Sequence, residues 1–350
     1  MDPNNESAGI SADTLSGQKL HIPDLRPTFA AWKQGVNPLH AQARQAADIR
    51  LAGLIEDEKA LAKTRAVDIA LFASMLAPDV GYAELETVTF YYMWLFLWDD
   101  AIDGADEGEV AAEEYCRQSI AFVEHSLGLA EPGAPAPAAP TKVCESFAEV
   151  GRRVGGYCGL EERERFSESL RMYMEACVTE YRWRLSGRVP SVEEFYSWRL
   201  GTSSVDAMLD LSRVIHGVKL PRSILDSKEL TAMGFCVNKL LILINELVSL
   251  KKELKDGAFG NLIPITMRAS KMNLESATQS LTKDIQDCVR DFESNVVILR
   301  RNSGMDEEQL KRLVQAYQVV DTATLNFSIQ SPRYGILKDR QTDGSFVVTL

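Results

Sequence analysis

Apolar residues recur along this chain at three- and four-residue spacing, as in Leu170, Tyr173, Met174, Cys177 and Val178, or Leu240, Leu241, Ile244, Leu247 and Val248. That period lines one face of an α-helix, and strand-like alternation is scarce. Prolines at 38, 78, 132 to 140, 190, 221, 264 and 332 leave Pro-free stretches of helical length. The pattern predicts an all-α bundle without internal repeats. Glu131 to Thr141, EPGAPAPAAPT, has nothing to bury and reads as an exposed loop between helices rather than a domain boundary. Residues 1–20 read as a disordered lead-in, and residues 336–350 as a polar tail that stays mobile until something orders it.

Composition narrows what such a bundle does. The chain has 350 residues, 45% of them apolar, which suffices for a sizeable core. A net charge of −12 argues against a nucleic-acid surface, which needs clustered cations, so an anionic ligand must be met by a few placed cations and bound metal. Six cysteines without a CxxC pair suggest reduced core thiols rather than a disulfide framework or a zinc site. Met1 to Gln18 resembles neither a secretory signal nor a basic transit peptide, so a cytosolic location is expected. The apolar run Tyr91 to Trp98 is far too short to span a bilayer.

Candidate chemistry begins where that run ends. Tyr91 to Asp103 reads YYMWLFLWDDAID, an aromatic helix that presents Asp99, Asp100 and Asp103 with no nearby Lys or Arg. Asp99 and Asp103, four apart, share a helix face, and the macrodipole at a helix C-terminus opposes both. A cation relieves both penalties, and carboxylates without His or Cys select a hard ion such as Mg²⁺. A solvated helix end running into the acidic loop Gly104 to Glu109 fits this segment equally well. A second segment, Asn245 to Glu253, reads NELVSLKKE. Its Asn245, Ser249 and Glu253 fall on one helical stripe, with Lys252 near the same face, although an amphipathic helix with Glu246 and Glu253 paired to lysines would read similarly.

Together the two motifs resemble class I terpene cyclases, especially microbial, fungal-type sesquiterpene synthases, in which DDxxD precedes an asparagine-serine-glutamate triad. Two further marks stand in the family's order. Arg199, in YSWRLGTS (196–203) and 46 residues before Asn245, matches its diphosphate-sensing arginine, and Arg333-Tyr334 matches its terminal pair. The resemblance covers about residues 20–340, and it makes residues 21–335 a single cyclase domain around a central apolar cavity. Glu246 departs from the usual Asp, and Phe327, six before Arg333, stands where Trp is common.

The resemblance implies three Mg²⁺ ions, two held by Asp99 with Asp103 and one by Asn245, Ser249 and Glu253. It implies that Arg199, Lys252, Arg333 and Tyr334 bind the diphosphate of a prenyl substrate, farnesyl diphosphate first and geranylgeranyl diphosphate as the alternative. Phe96 and Phe327 are then expected to face the carbocation, with Tyr92 and Trp198 as weaker candidates for the same wall. A homodimer fits the family, and the C-terminal tail is expected to order on closure. A chain-elongating prenyl synthase would carry a second aspartate-rich motif where NELVSLKKE stands. A non-catalytic helical scaffold would ignore Mg²⁺. Arg184 and Arg188 are expected to cap a helix end, and His21, His40, His125 and His216 to be structural.

Overall fold

Local capping signals start several of the helices. Asp57, Asp68, Asn261, Asn273 and Asp306 each accept a backbone N–H at a helix start, and Ser191 forms a full capping box with Glu194. The structure, a computed structural model, describes residues 12–103, 108–131, 133–255, 257 and 260–350. The side chains of Ala12, Asp13 and Asp103 lie outside that set. Within the described residues the chain is helical almost throughout, and the Pro/Ala-rich segment carries no helix or strand.

The two motif segments lie at the C-terminal ends of two long, deeply buried helices, Tyr82–Asp103 and Lys228–Lys255. The first is walled by an aromatic column in which Tyr91, Trp94 and Trp98 pack against Phe166, Phe147 and Tyr173. The second packs against Leu274–Asn302 on one side and Glu307–Gln330 on another. Lys228–Lys255 is long and apolar enough to cross a membrane by length and composition, yet 72% of its most apolar window is buried inside the protein. An unbroken apolar run does not reveal this length, because Asn238 and Lys239 interrupt the helix.

Both chain ends differ from expectation. The lead-in is ordered from Ala12 onward, with its first eleven residues outside the described set. Lys19–Ile22 pairs antiparallel with Phe346–Thr349, matching Lys19 to Thr349 and Ile22 to Phe346. Leu20, Ile22, Phe346 and Val348 are buried, so one face of this ribbon has the period-2 pattern of a half-buried sheet, and it lies on the Leu274–Asn302 helix. Lys19–Ile22 is too polar to be recognised alone, whereas Phe346–Thr349, with Phe346, Val347 and Val348, carries a strand signal that a reading of the whole tail as polar passes over; the two strands pair with each other, and the first lies on the helix beneath.

Gly201 explains another approach. A Cβ there would stand 2.5 Å from the Cβ of Ala176, so its absence lets the Val192–Thr202 helix, which carries Arg199, settle against Leu160–Ser186.

Candidate active site

Asp99 is half-buried near the end of its helix. It accepts a hydrogen bond from the Tyr173 hydroxyl at 3.1 Å and the Cys177 thiol at 3.7 Å. Burial and the Asp99 charge hold Tyr173 well above its ordinary pKa, keeping it a donor. The apolar spacing placed Tyr173 and Cys177 in the core, and both are buried, but their polar tips turn toward the acidic motif. Asp100 is exposed. The Asp103 side chain and residues 104–107 of the acidic loop lie outside the described residues.

On the second helix, Arg199 and Asn245 meet. Arg199 Nη2 donates to Asn245 Oδ1 at 3.0 Å and its Nε to Glu246 Oε1 at 3.1 Å. Glu246 does not face water or pair with a lysine: its side chain is 3% exposed, and its Oε2 accepts the Leu262 backbone N–H at 2.9 Å. Burial pushes its carboxyl up to about 7 against the opposing pull of Arg199. Burial also works against the Arg199 charge, but Glu246 and Glu180 outweigh it and raise the Arg199 pKa. The extra methylene of Glu over Asp was visible in the sequence; its buried partner was not.

Ser249 is buried and Glu253 half-buried further along the helix. Between them sits a residue that no motif singled out. Asn261, 1% exposed, donates from Nδ2 to the Glu246 backbone carbonyl at 2.9 Å and to Glu253 Oε2 at 3.0 Å, and it approaches Ser249 Oγ at 3.5 Å. Its Oδ1 accepts the Ile263 N–H and starts the Leu262–Ser270 helix. The Asn-x-x-Pro of NLIP is a readable helix start, but its contact with Glu253 depends on how the chain folds back. Lys252 is half-buried on the same helix.

The terminal pair ties the two helices together. Tyr334 OH accepts from Asn245 Nδ2 at 3.1 Å, and the Arg333 guanidinium lies 5.8 Å from the Phe96 ring centroid, one turn before Asp99. The Leu160–Ser186 helix links the same groups from behind, with Cys177 toward Asp99 and Glu180 toward Arg199. Arg199, Asn245 and Tyr334 therefore converge with Phe96 at one mouth.

Beside this mouth is an aromatic cluster. The hub is Phe72, whose ring centroid is 5.0 Å from Tyr92, 5.0 Å from Phe327 and 6.3 Å from Phe96. Phe72 was missed because Ile69–Leu76 reads as uniformly apolar core; only the packing singles it out. Trp198 is buried against Phe195 at 5.1 Å, which places it in the packing of its own helix. Arg184 lies over the Tyr181 ring and Arg188 over Trp183, around the left-handed Gly187 that ends their helix.

Among the described residues no group of three or more His, Cys, Asp or Glu side chains forms a metal cluster. The available donors are instead a mixed oxygen set, namely the Asp99 and Glu253 carboxylates with Asn245 Oδ1 and Ser249 Oγ. Hard oxygen donors with few carboxylates suit an ion that completes its shell with water and phosphate, so the residues present fit Mg²⁺.

Known proteins point the same way. Over 337 residues the chain is 27% identical to the sesquiterpene cyclase hepA of Aspergillus oryzae, covering 92% of this chain and 90% of that one. It is 27% identical to the 10-epi-cubebol synthase of Sorangium cellulosum, covering 84% and 94%. The fold matches that of the linalool/nerolidol synthase from Streptomyces clavuligerus with a TM-score of 0.74 at 21% identity, over 85% of this chain and 98% of that one. The same synthase in complex with 2-fluorogeranyl diphosphate matches with a TM-score of 0.73 at 20% identity, over 87% and 98%. The family profile described as terpene synthase family 2, C-terminal metal binding, matches residues 91–291, which include both motif segments. With that match over more than half its length, and with the all-helical fold and converging motifs described above, the chain belongs to the terpene synthase family, as a class I, metal-binding member.

Proposed function

We propose that the protein is a sesquiterpene cyclase that ionises farnesyl diphosphate and closes the resulting carbocation into a cyclic hydrocarbon or alcohol. The carrying observation is the Arg333-Tyr334 pair, which reaches Phe96 beside the acidic motif and Asn245 in the second motif at once. A diphosphate bound there would lie between both sets of oxygen donors. In this reading Asp99 and Asp103 hold two Mg²⁺ ions, and Asn245, Ser249 and Glu253 a third. When bound, Mg²⁺ supplies Lewis-acid stabilisation of the charge that grows on the leaving diphosphate.

The side chains do the rest. Arg199, already oriented by Glu246, donates to phosphate oxygens with Lys252, Arg333 and Tyr334, and this preorganisation favours the charge of the departing group. Phe96, Phe327, Tyr92 and Phe72 offer aromatic faces to the cation and no strong nucleophile to trap it. The segment after Gln330 keeps water from the mouth while Tyr334 engages Asn245. The same reading makes residues 21–335 the catalytic domain. The six free cysteines accord with a reducing, cytosolic location, and the family resemblance extends it to a homodimer.

Incubation with farnesyl or geranylgeranyl diphosphate, with Mg²⁺ or EDTA, followed by gas chromatography–mass spectrometry, tests this. Cyclic fifteen-carbon products that disappear with EDTA and in Asp99→Ala support it. Cyclic twenty-carbon products alone would move the substrate assignment to geranylgeranyl diphosphate, and no cyclic product from either would end the cyclase reading.

A further inference from the structure

Asn261 lies outside both motifs, yet its amide meets three residues of the second motif, Glu246, Ser249 and Glu253. Its amide has two N–H groups. One set of contacts ties it to the helix backbone through the Glu246 carbonyl, and the other reaches the Glu253 carboxylate at 3.0 Å and the neighbourhood of Ser249 Oγ at 3.5 Å. Asn261 itself is 1% exposed, so water has little access to its amide, while the Glu253 carboxylate that it holds is half-buried. A glutamate on a helix has three side-chain torsions, and without a partner its carboxylate samples several positions. The carboxamide holds Oε2 to a group that is itself fixed at two points, the Glu246 carbonyl and the Ile263 N–H.

We propose that Asn261 is a positioning residue for the metal-binding stripe, fixing the Glu253 carboxylate and the Ser249 hydroxyl in the geometry that receives the cation. This rests on the reading of Asn245, Ser249 and Glu253 as ligands. Outer-shell partners of this kind change metal affinity by about 10–100-fold when removed. Asn261 also caps the Leu262–Ser270 helix, and the cap is separable, because serine accepts the same backbone N–H without reaching Glu253.

The test uses the full chain and follows thermal stabilisation by Mg²⁺ titrated at fixed inorganic diphosphate. In Asn261→Ser the Mg²⁺ midpoint is expected to rise at least about tenfold, while the melting temperature without ligand stays near that of the wild type. Asn261→Ala, which loses cap and donor together, is expected to melt lower but show the same midpoint shift. A wild-type midpoint in the serine variant overturns the positioning role and leaves Asn261 a cap only. Should the serine variant not fold, Asn261→Asp keeps size and cap acceptor while removing the donor, and an unchanged midpoint there overturns the role equally. If the wild type shows no response to Mg²⁺ with diphosphate, the ligand reading itself fails and the inference falls with it.

Discussion

Glu246 and Arg199 form a buried ion pair whose two halves are unequal, and that inequality yields a quantitative prediction. Glu246→Leu leaves Arg199, with a side chain 16% exposed, facing an apolar neighbour, and it also strips the Leu262 N–H of its acceptor. A guanidinium cannot shed its proton at any working pH, so the charge stays, with its ion-pair partner gone and only Glu180, Glu253 and the Asn245 carbonyl left to offset it. Breaking a buried pair in this way costs about 3–5 kcal/mol. With an unfolding entropy of about 2.1 cal/mol/K per residue over 350 residues, the melting temperature should fall by about 4–7 °C. The opposite change, Arg199→Met, should cost less, because burial already raises the Glu246 pKa to about 7 and the orphaned acid can take up a proton. Combining both changes removes the stranded charge and should recover most of the loss, leaving mainly the unpaired Leu262 N–H. Differential scanning fluorimetry on the four proteins measures this cycle, and cyclase turnover separates stability from function. The double variant should be folded but strongly impaired, since it lacks the arginine assigned to the diphosphate. Additive losses in the double variant, or a Glu246→Leu protein that melts within a degree of wild type, would refute the pairing argument.

Two further outcomes follow from packing and from an orphaned acid. Gly201→Ala would bring a Cβ to 2.5 Å from that of Ala176, so we expect overpacking worth about 1–3 kcal/mol in chemical denaturation, with lower turnover because the helix carrying Arg199 must shift. Asp321 is fully buried, and among the described residues neither of its carboxylate oxygens has a hydrogen-bond partner. Burial raises its pKa well above the ordinary 3.8, so the folded chain keeps a proton that the unfolded chain releases. The unfolded state then binds fewer protons above pH 3.8, and the stabilising contribution present in acid is lost as the pH rises toward the folded value. Asp321→Asn should remove that slope, so its advantage in melting temperature over wild type should widen between pH 4 and pH 7; a constant gap would show that Asp321 does not titrate anomalously.

The amino-acid string alone carries the all-helical class, because a 3.6-residue apolar period can be buried only as helices, and prolines with capping residues mark where several of those helices begin and end. It also determined the order of the motifs, since Asp99, Arg199, Asn245, Ser249, Glu253 and Arg333-Tyr334 are local strings with fixed spacing. Tertiary structure alone decided which of their neighbours matter. Glu246 reads as one more acid on a polar face until the Val192–Thr202 helix brings Arg199 against it. Asn261 belongs to no motif, and only the chain's folding back sets its amide on Glu253. Tyr173 and Phe72 share the spacing of ordinary core residues, and only helix packing aims one at Asp99 and surrounds the other with Tyr92, Phe96 and Phe327. The pairing of the terminal strands is likewise hidden, because the backbone N–H and C=O groups of Phe346–Thr349 find their partners more than 300 residues away in Lys19–Ile22. Periodicity records which face of an element is buried; what that face meets depends on contacts between residues far apart in the chain.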